Sequence, residues 1–104
     1  MSEYVSIKTE VLQKLKDRMP AIRERFGIET LGIFGSVARG EDTEKSDVDV
    51  IFTFKKDETT LDRFLGLADY LEDLIKRKVD VIPVDGFSPH ILSRISGEVV
   101  WIDV

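Results

Sequence analysis

Apolar residues recur every three or four positions between 8 and 26, at Val11, Leu12, Leu15, Met19, Ile22 and Phe26, which predicts an amphipathic helix. Pro20 lies inside this stretch and is expected to kink or split the helix, because proline donates no amide hydrogen and its ring crowds the carbonyl four residues back. Gly27 is the expected C-terminal cap. Two apolar, β-branched runs follow, 30–34 and 48–54, and both read as strands. The polar turn at 55–60 ends in Thr59 or Thr60, either of which can cap the next helix. Leu61, Phe64, Leu65, Ala68, Leu71, Leu74 and Ile75 then follow at helical spacing. Asp57, Glu58 and Asp62 stand at the front of that helix and Lys76, Arg77 and Lys78 at its end, the order that suits a helix dipole. Residues 79–84 predict a short strand, with Pro83 marking a sheet edge or the strand's end. A short helix over 87–97 has Ser88 as cap, Pro89 at its first position and Gly97 as stop, and 98–104 reads as a final strand.

The predicted order α, β, β, α, β, α, β implies an α/β (α+β) fold, with a small mixed sheet of about four strands and helices mainly on one face. The strand–helix–strand unit over 48–84 should be a right-handed parallel crossover. A chain of 104 residues accommodates one core, so residues 1–104 are expected to form a single domain.

Charge and composition narrow the chemistry. Fifteen Lys and Arg stand against 20 Asp and Glu, a formal charge of −5. That balance weighs against sequence-independent nucleic-acid binding, which needs many cationic phosphate contacts, and leaves room for metal ions or a cationic partner. The absence of cysteine excludes disulfides, thiolate catalysis and cysteine-based zinc sites, and the single histidine, His90, cannot by itself make a His-rich metal site. No apolar run approaches the ~20 residues of a membrane span and nothing reads as a signal peptide, so a cytoplasmic location is expected.

The candidate chemistry lies between the first two strands, in "GSVARGEDTEKSDVD", residues 35–49. Residues i and i+2 of a strand share a face, with Cα atoms roughly 6.5 Å apart, so Asp47 and Asp49 should project together. Two carboxylates this close repel unless a cation intervenes, and a hard divalent ion such as Mg²⁺ removes the conflict. Asp80 interrupts the apolar strand 79–84, and a parallel crossover would bring it beside the pair. Three acids on neighbouring strands could hold two cations about 4 Å apart, the arrangement used for in-line phosphoryl transfer. Upstream, Gly35 permits a tight backbone and Ser36 begins a helical turn, whose amides and hydroxyl could cradle an anion. Arg39 can add positive charge toward the same place. Taken singly, Gly-Ser is an ordinary β-turn, Arg39 a surface ion pair with Glu41 or Asp42, and Asp80 an exposed strand residue. The conjunction of an anion cradle with an acid pair is what points to function.

A Gly-Ser pair, ten residues and then "DVD" resembles the GS-x10-DxD signature of the DNA polymerase β-like nucleotidyltransferase superfamily. The wider run "LGIFGSVARGEDTEKSDVDVIF" is similar to its minimal nucleotidyltransferase branch, the antitoxins of two-gene systems with HEPN-family toxins. The resemblance extends from the first helix through Asp80. It implies that Gly35 and Ser36 hold a nucleoside triphosphate, that Asp47 and Asp49 bind two Mg²⁺ ions, and that Asp80 binds one of them and helps activate the acceptor hydroxyl. Arg39 and Ser46 match common nucleotide-binding positions. With no further domain for a template, primer, tRNA or antibiotic, the acceptor is expected on a separate protein. The resemblance implies transfer of AMP from ATP to a tyrosine of the HEPN partner, and the sequence leaves both a homo- and a hetero-oligomer open. The competing expectations are an antitoxin that neutralises by contact alone, and a transferase for a small molecule or RNA end that uses an added subunit. A mass shift on the partner separates the protein-modifying reading from the contact-only one, and a screen of acceptors with labelled ATP tests the small-molecule or RNA alternative. Trp101 and the outer side of the first helix are the expected partner surface, with Trp101 in the core as the alternative.

Overall fold

The computed structural model of the chain describes residues 3–56 and 60–102. Its elements are α1 (Lys8–Phe26), β1 (Ile28–Phe34), α2 (Gly35–Arg39), β2 (Val48–Phe54), α3 (Leu61–Ile75), β3 (Val79–Pro83), a 3-10 turn (Val84–Gly86), α4 (Pro89–Ile95) and β4 (Val100–Trp101). The strands form one mixed sheet in the order β3-β2-β1-β4. β1 runs antiparallel to β2 and β4, and β2 runs parallel to β3, as the expected crossover requires.

Alternation along the strands sorts the sheet into two faces. Leu31 and Ile33, then Val48, Val50 and Phe52, then Val79 point into one core with Val11, Leu15, Met19, Ile22 and Phe26 of α1 and Leu67, Leu71 and Ile75 of α3. The other face presents Gly32, Phe34, Asp49, Ile51, Asp80 and Ile82. It is partly covered by the C-terminal segment: Phe87 packs edge-on against Phe34, with ring centroids 5.7 Å apart. A methyl on Gly32 would meet both the Trp101 ring and Val99 at 2.9 Å, so the absence of a side chain there is what lets β4 fold down onto the sheet.

Several expectations change in detail. α1 is one continuous helix of 19 residues with Pro20 inside it, not two pieces. Pro20 and Lys16, whose carbonyl loses its helical donor, both lie on the exposed side, where water can replace the missing bond. Gly27 caps the helix in the left-handed region (φ 67°). Thr60 caps α3, accepting from the Arg63 amide, whereas Thr59, Asp57 and Glu58 lie outside the described residues. α3 stops at Ile75, so Lys76, Arg77 and Lys78 do not form its last turn. Lys76 takes a left-handed conformation (φ 65°), closing the helix through its amide to the Glu72 carbonyl and sending Arg77 away from the helix axis. β3 is an edge strand ending at Pro83. α4 ends at Ile95 and is capped by Ser96, one residue before Gly97. Among the described residues of the expected last strand, only Val100 and Trp101 form β4, and residues 103–104 lie outside the described residues. Trp101 is 45% exposed and lies over Gly32, so it is neither a core residue nor free of the sheet.

The start of α1 is held from across the chain. Its N-cap residue, Ile7, has no capping side chain of its own, and Asp42, only 7% exposed, supplies the acceptor instead. Asp42 accepts from the Ile7 amide (3.1 Å), the Tyr4 hydroxyl (2.5 Å) and the Ser6 hydroxyl. Burial alone pushes the Asp42 carboxyl up, but these hydrogen bonds together outweigh it and hold it below the usual range. Asp42→Ala is expected to cost about 1 kcal/mol, since it removes the acceptor of three part-buried hydrogen bonds whose donors water can partly reach. Because the folded carboxyl is depressed, its stabilisation is present above about pH 4 and lost as pH falls through the lower folded value. Urea titrations should therefore show wild type and variant furthest apart at neutral pH and converging as the pH falls below the ordinary carboxylate range.

Candidate active site

The C-terminal end of β1 and the N-terminal ends of β2 and β3 meet at one end of the sheet. Phe34 pairs with Asp49, and Asp49 pairs with Asp80, so these three residues form a row across the face opposite the α1/α3 core. Neighbouring strands lie about 4.7–4.9 Å apart, which makes Asp49 and Asp80 direct neighbours. Asp47 precedes β2 by one residue and Asp49 by two. The parallel crossover thus delivers Asp80 to the acid pair as the sequence implied.

Directly above Asp49 the chain leaves β1 and enters α2. Gly35 sits at this corner with φ 76°, and a methyl built on it would stand 2.3 Å from Asp49 Oδ2. The backbone of the Gly-Ser corner therefore lies against the carboxylate at a distance that any side chain would abolish. Ser36 is half-buried in the first turn of α2, and its carbonyl accepts from the Glu41 amide, closing the helix at Gly40.

The three acids lack direct side-chain partners among the described residues. Among the described residues, no side chain donates a hydrogen bond to Asp47, Asp49 or Asp80, although Asp47 and Asp49 are half-buried. Burial pushes the Asp49 carboxyl above the usual carboxylate range, and the charges of Asp80 and then Asp47 push the same way, with Arg39 partly opposing them. Concentrated negative charge and hard oxygen donors fit a hard divalent cation. Among the described residues, however, no three acidic or histidine side chains converge on one cation position. The backbone register sets Asp49 beside Asp80, and Asp49 feels the charges of both other acids.

Arg39 donates to Glu41 (2.9 Å) and reaches Glu98 (3.4 Å) in the segment before β4. The expected ion pair with Glu41 is present and the one with Asp42 is not, since Asp42 is committed to α1. The Ser46 hydroxyl serves its own loop, accepting from the Thr43 amide at 2.9 Å. Arg77 Nη2 donates to the Thr43 and Ser46 carbonyls, each at 2.7 Å. Sequence reasoning assigned Arg77 to a helix dipole and assigned Asp42 no part beyond an ion pair with Arg39. Both act through contacts more than 30 residues apart in the chain, for which local patterning carries no signal. A cavity of about 550 Å³ lined by Phe54, Phe64, Lys55 and Lys56 lies at the opposite end of β2, away from the acids.

Comparison with known proteins matches the same region. The family described as Nucleotidyltransferase domain matches residues 10–102. A Thermococcus cleftensis protein named Protein adenylyltransferase MntA is 38% identical over 81 residues, covering 78% of this chain and 81% of the relative. A Methanocaldococcus jannaschii protein, provisionally named a protein adenylyltransferase, is 33% identical and covers 90% of this chain and 96% of its own. A solved structure provisionally described as a minimal nucleotidyltransferase superposes with a TM-score of 0.71 at 33% identity, covering 86% and 93% of the two chains. At 14% identity, and so for the fold alone, the structure of a tri-AMPylated Shewanella oneidensis HEPN toxin with its MNT antitoxin gives a TM-score of 0.61 over 88% and 71% of the chains.

Proposed function

This chain belongs to the nucleotidyltransferase domain family, and from that premise we propose that it is a Mg²⁺-dependent protein adenylyltransferase that acts as an antitoxin. It moves AMP from ATP to a hydroxyl, a tyrosine's, on a HEPN-family toxin and so silences that toxin. The observation that carries this reading is the Asp49–Asp80 register pair with the Gly35 backbone pressed against the Asp49 carboxylate. The names of the adenylyltransferase relatives and the HEPN–MNT complex support the protein acceptor.

In this mechanism the Gly35–Ser36 corner holds the triphosphate, with the Ser36 hydroxyl donating to a phosphate oxygen. Asp47, Asp49 and Asp80 would hold the Mg²⁺ ions. When bound, Mg²⁺ supplies charge neutralisation at the phosphates and lowers the cost of ionising the acceptor hydroxyl. Asp80, the most exposed of the three, faces outward where a protein side chain can arrive, and it receives the proton of the attacking hydroxyl. The acceptor oxygen bonds to the α-phosphorus, the bond to the β-phosphate breaks, and pyrophosphate leaves. Arg39 reaches the nucleotide by exchanging Glu98 for phosphate, and Ser46 lines the same side from its loop. Trp101, half-exposed beside Leu12 and Lys16 of α1, offers an aromatic anchor for the partner.

The test is to incubate the purified chain with ATP, Mg²⁺ and the protein encoded by the neighbouring gene, then weigh that protein. One or more added AMP groups on tyrosine are expected. Neutralisation of the partner without any mass gain would overturn the enzymatic reading.

A further inference from the structure

We propose that Arg77 is a positioning residue for Asp47: it locks the backbone on which this carboxylate is presented to the metal. The inference rests on the proposed metal-binding role of Asp47. Its basis is the pair of peptide planes that flank this residue. The Ser46 carbonyl belongs to the peptide entering Asp47, and it accepts from Arg77 Nη2 at 2.7 Å. The Val48 amide belongs to the peptide leaving Asp47, and it donates to the Lys78 carbonyl at 2.9 Å. Two adjacent residues of the α3–β3 junction thus hold both sides of Asp47, fixing its φ and ψ. Arg77 Nη2 uses its second hydrogen on the Thr43 carbonyl, also at 2.7 Å, so one guanidinium nitrogen bridges both ends of the loop 43–46. Charge-assisted bonds of this kind are about twice as strong as neutral ones.

The anchor is itself well held. Lys76 turns the chain in a left-handed conformation, and the Glu72 carboxylate accepts from the Val79 amide at 3.0 Å, so the junction is tied to α3 on either side of Arg77. Arg77 Nη1 also donates to the Tyr4 oxygen (3.3 Å), and Tyr4 donates to Asp42. A non-glycine residue at positive φ persists where the surroundings demand it. Here it aims Arg77 at the loop. The Ser46 hydroxyl and the Thr43 amide preform that loop, so the guanidinium meets two carbonyls already turned toward it. Asp47 receives no side-chain hydrogen bond among the described residues, which leaves its backbone as the means of orienting it.

The test compares wild type, Arg77→Ala, Arg77→Lys and Asp47→Asn with two readouts: titration of Mn²⁺ into the nucleotide-free chain, and amide hydrogen exchange. Arg77→Ala should weaken Mn²⁺ binding about 10–100-fold, the usual effect of removing a group that orients a ligand, and so approach Asp47→Asn. Exchange at the Ser46 and Val48 amides should accelerate about 10-fold or more while Ile33 and Val50 keep their protection. Arg77→Lys retains the charge but not the fork, and should fall between, about 3–10-fold weaker than wild type. Unchanged Mn²⁺ affinity in Arg77→Ala, with the loop amides opened, would assign Arg77 to folding alone and overturn the proposal. Should Arg77→Ala fail to fold, wild-type affinity in Arg77→Lys would overturn it equally. If wild type binds Mn²⁺ no better than Asp47→Asn, the metal-site reading itself fails, an outcome visible before any Arg77 variant is measured.

Discussion

Replacing Asp47 and Asp49 together with asparagine is expected to lower nucleotide transfer by about 10³-fold or more while the protein stays folded. Enzymes that transfer phosphoryl groups act mainly by positioning reactants and offsetting negative charge, and removal of one such electrostatic group commonly costs 10²–10³-fold. Asparagine nearly matches aspartate in shape but lacks the charge that holds a divalent cation. Neither carboxylate accepts a hydrogen bond from a side chain among the described residues, so the substitution strands no partner. Asp49 is pushed above its usual range by burial and by its acidic neighbours, so its charge is a burden on the cation-free fold. The double variant should consequently melt no lower than wild type without Mg²⁺, and binding to the proposed partner should persist. Mass spectrometry of the partner after incubation with ATP and Mg²⁺ checks the first expectation, and thermal denaturation checks the second. Equal labelling by both proteins would remove these two residues from the mechanism.

The second large effect belongs to Gly35. Gly35→Ala adds a methyl that would stand 2.3 Å from Asp49 Oδ2, on a residue whose φ of 76° already disfavours a side chain. Left-handed backbone costs an L-residue roughly 1–2 kcal/mol, and displacing a reacting group by about 1 Å can cost 10²-fold in rate. Gly40 provides the control, since it has nearly the same φ, 72°, but nothing within 4 Å of an added methyl. Both alanine variants should lose about 1–2 kcal/mol of stability in urea titrations. Only Gly35→Ala should also lose transfer, by about 10²-fold. Equal activity losses in the two variants would mean that strain in α2, and not the contact with Asp49, accounts for the glycine at position 35.

Much of this architecture is local in origin. The 3.6-residue period of α1 and α3, the alternation in β2, the Thr60 and Ser88 caps and the Gly27 stop are set by residues within a few positions of one another. For that reason they were legible. The Gly-Ser corner and the Asp47–Asp49 pair were legible for the same reason, since their relation depends on spacing along one segment. Asp80 was reachable one step further, because a strand–helix–strand unit has few ways to return and a parallel return sets Asp80 beside Asp49.

What the sequence by itself determined, then, is the main helices α1 and α3 with the faces they bury, the strands β1, β2 and β3, and the identity of the acids, while α2 shows in it only as a helical turn at Ser36. Only the tertiary structure decided which distant groups hold them in place. Asp42 accepts from a helix N-cap residue 35 positions before it, Arg77 grips carbonyls 31 and 34 positions away, and Arg39 pairs with Glu98 across 59. It also turned Lys76 into the left-handed corner that ends α3, where the run of basic residues suggested a longer helix, and laid Trp101 over Gly32 instead of into the core. The physical reason is common to all of these. A hydrogen bond between a side chain and a remote carbonyl leaves no period and no spacing in the chain, and an exposed arginine reads the same whether it meets water or a backbone. Such contacts become determinate only once packing of α1 and α3 on the sheet has set the distances.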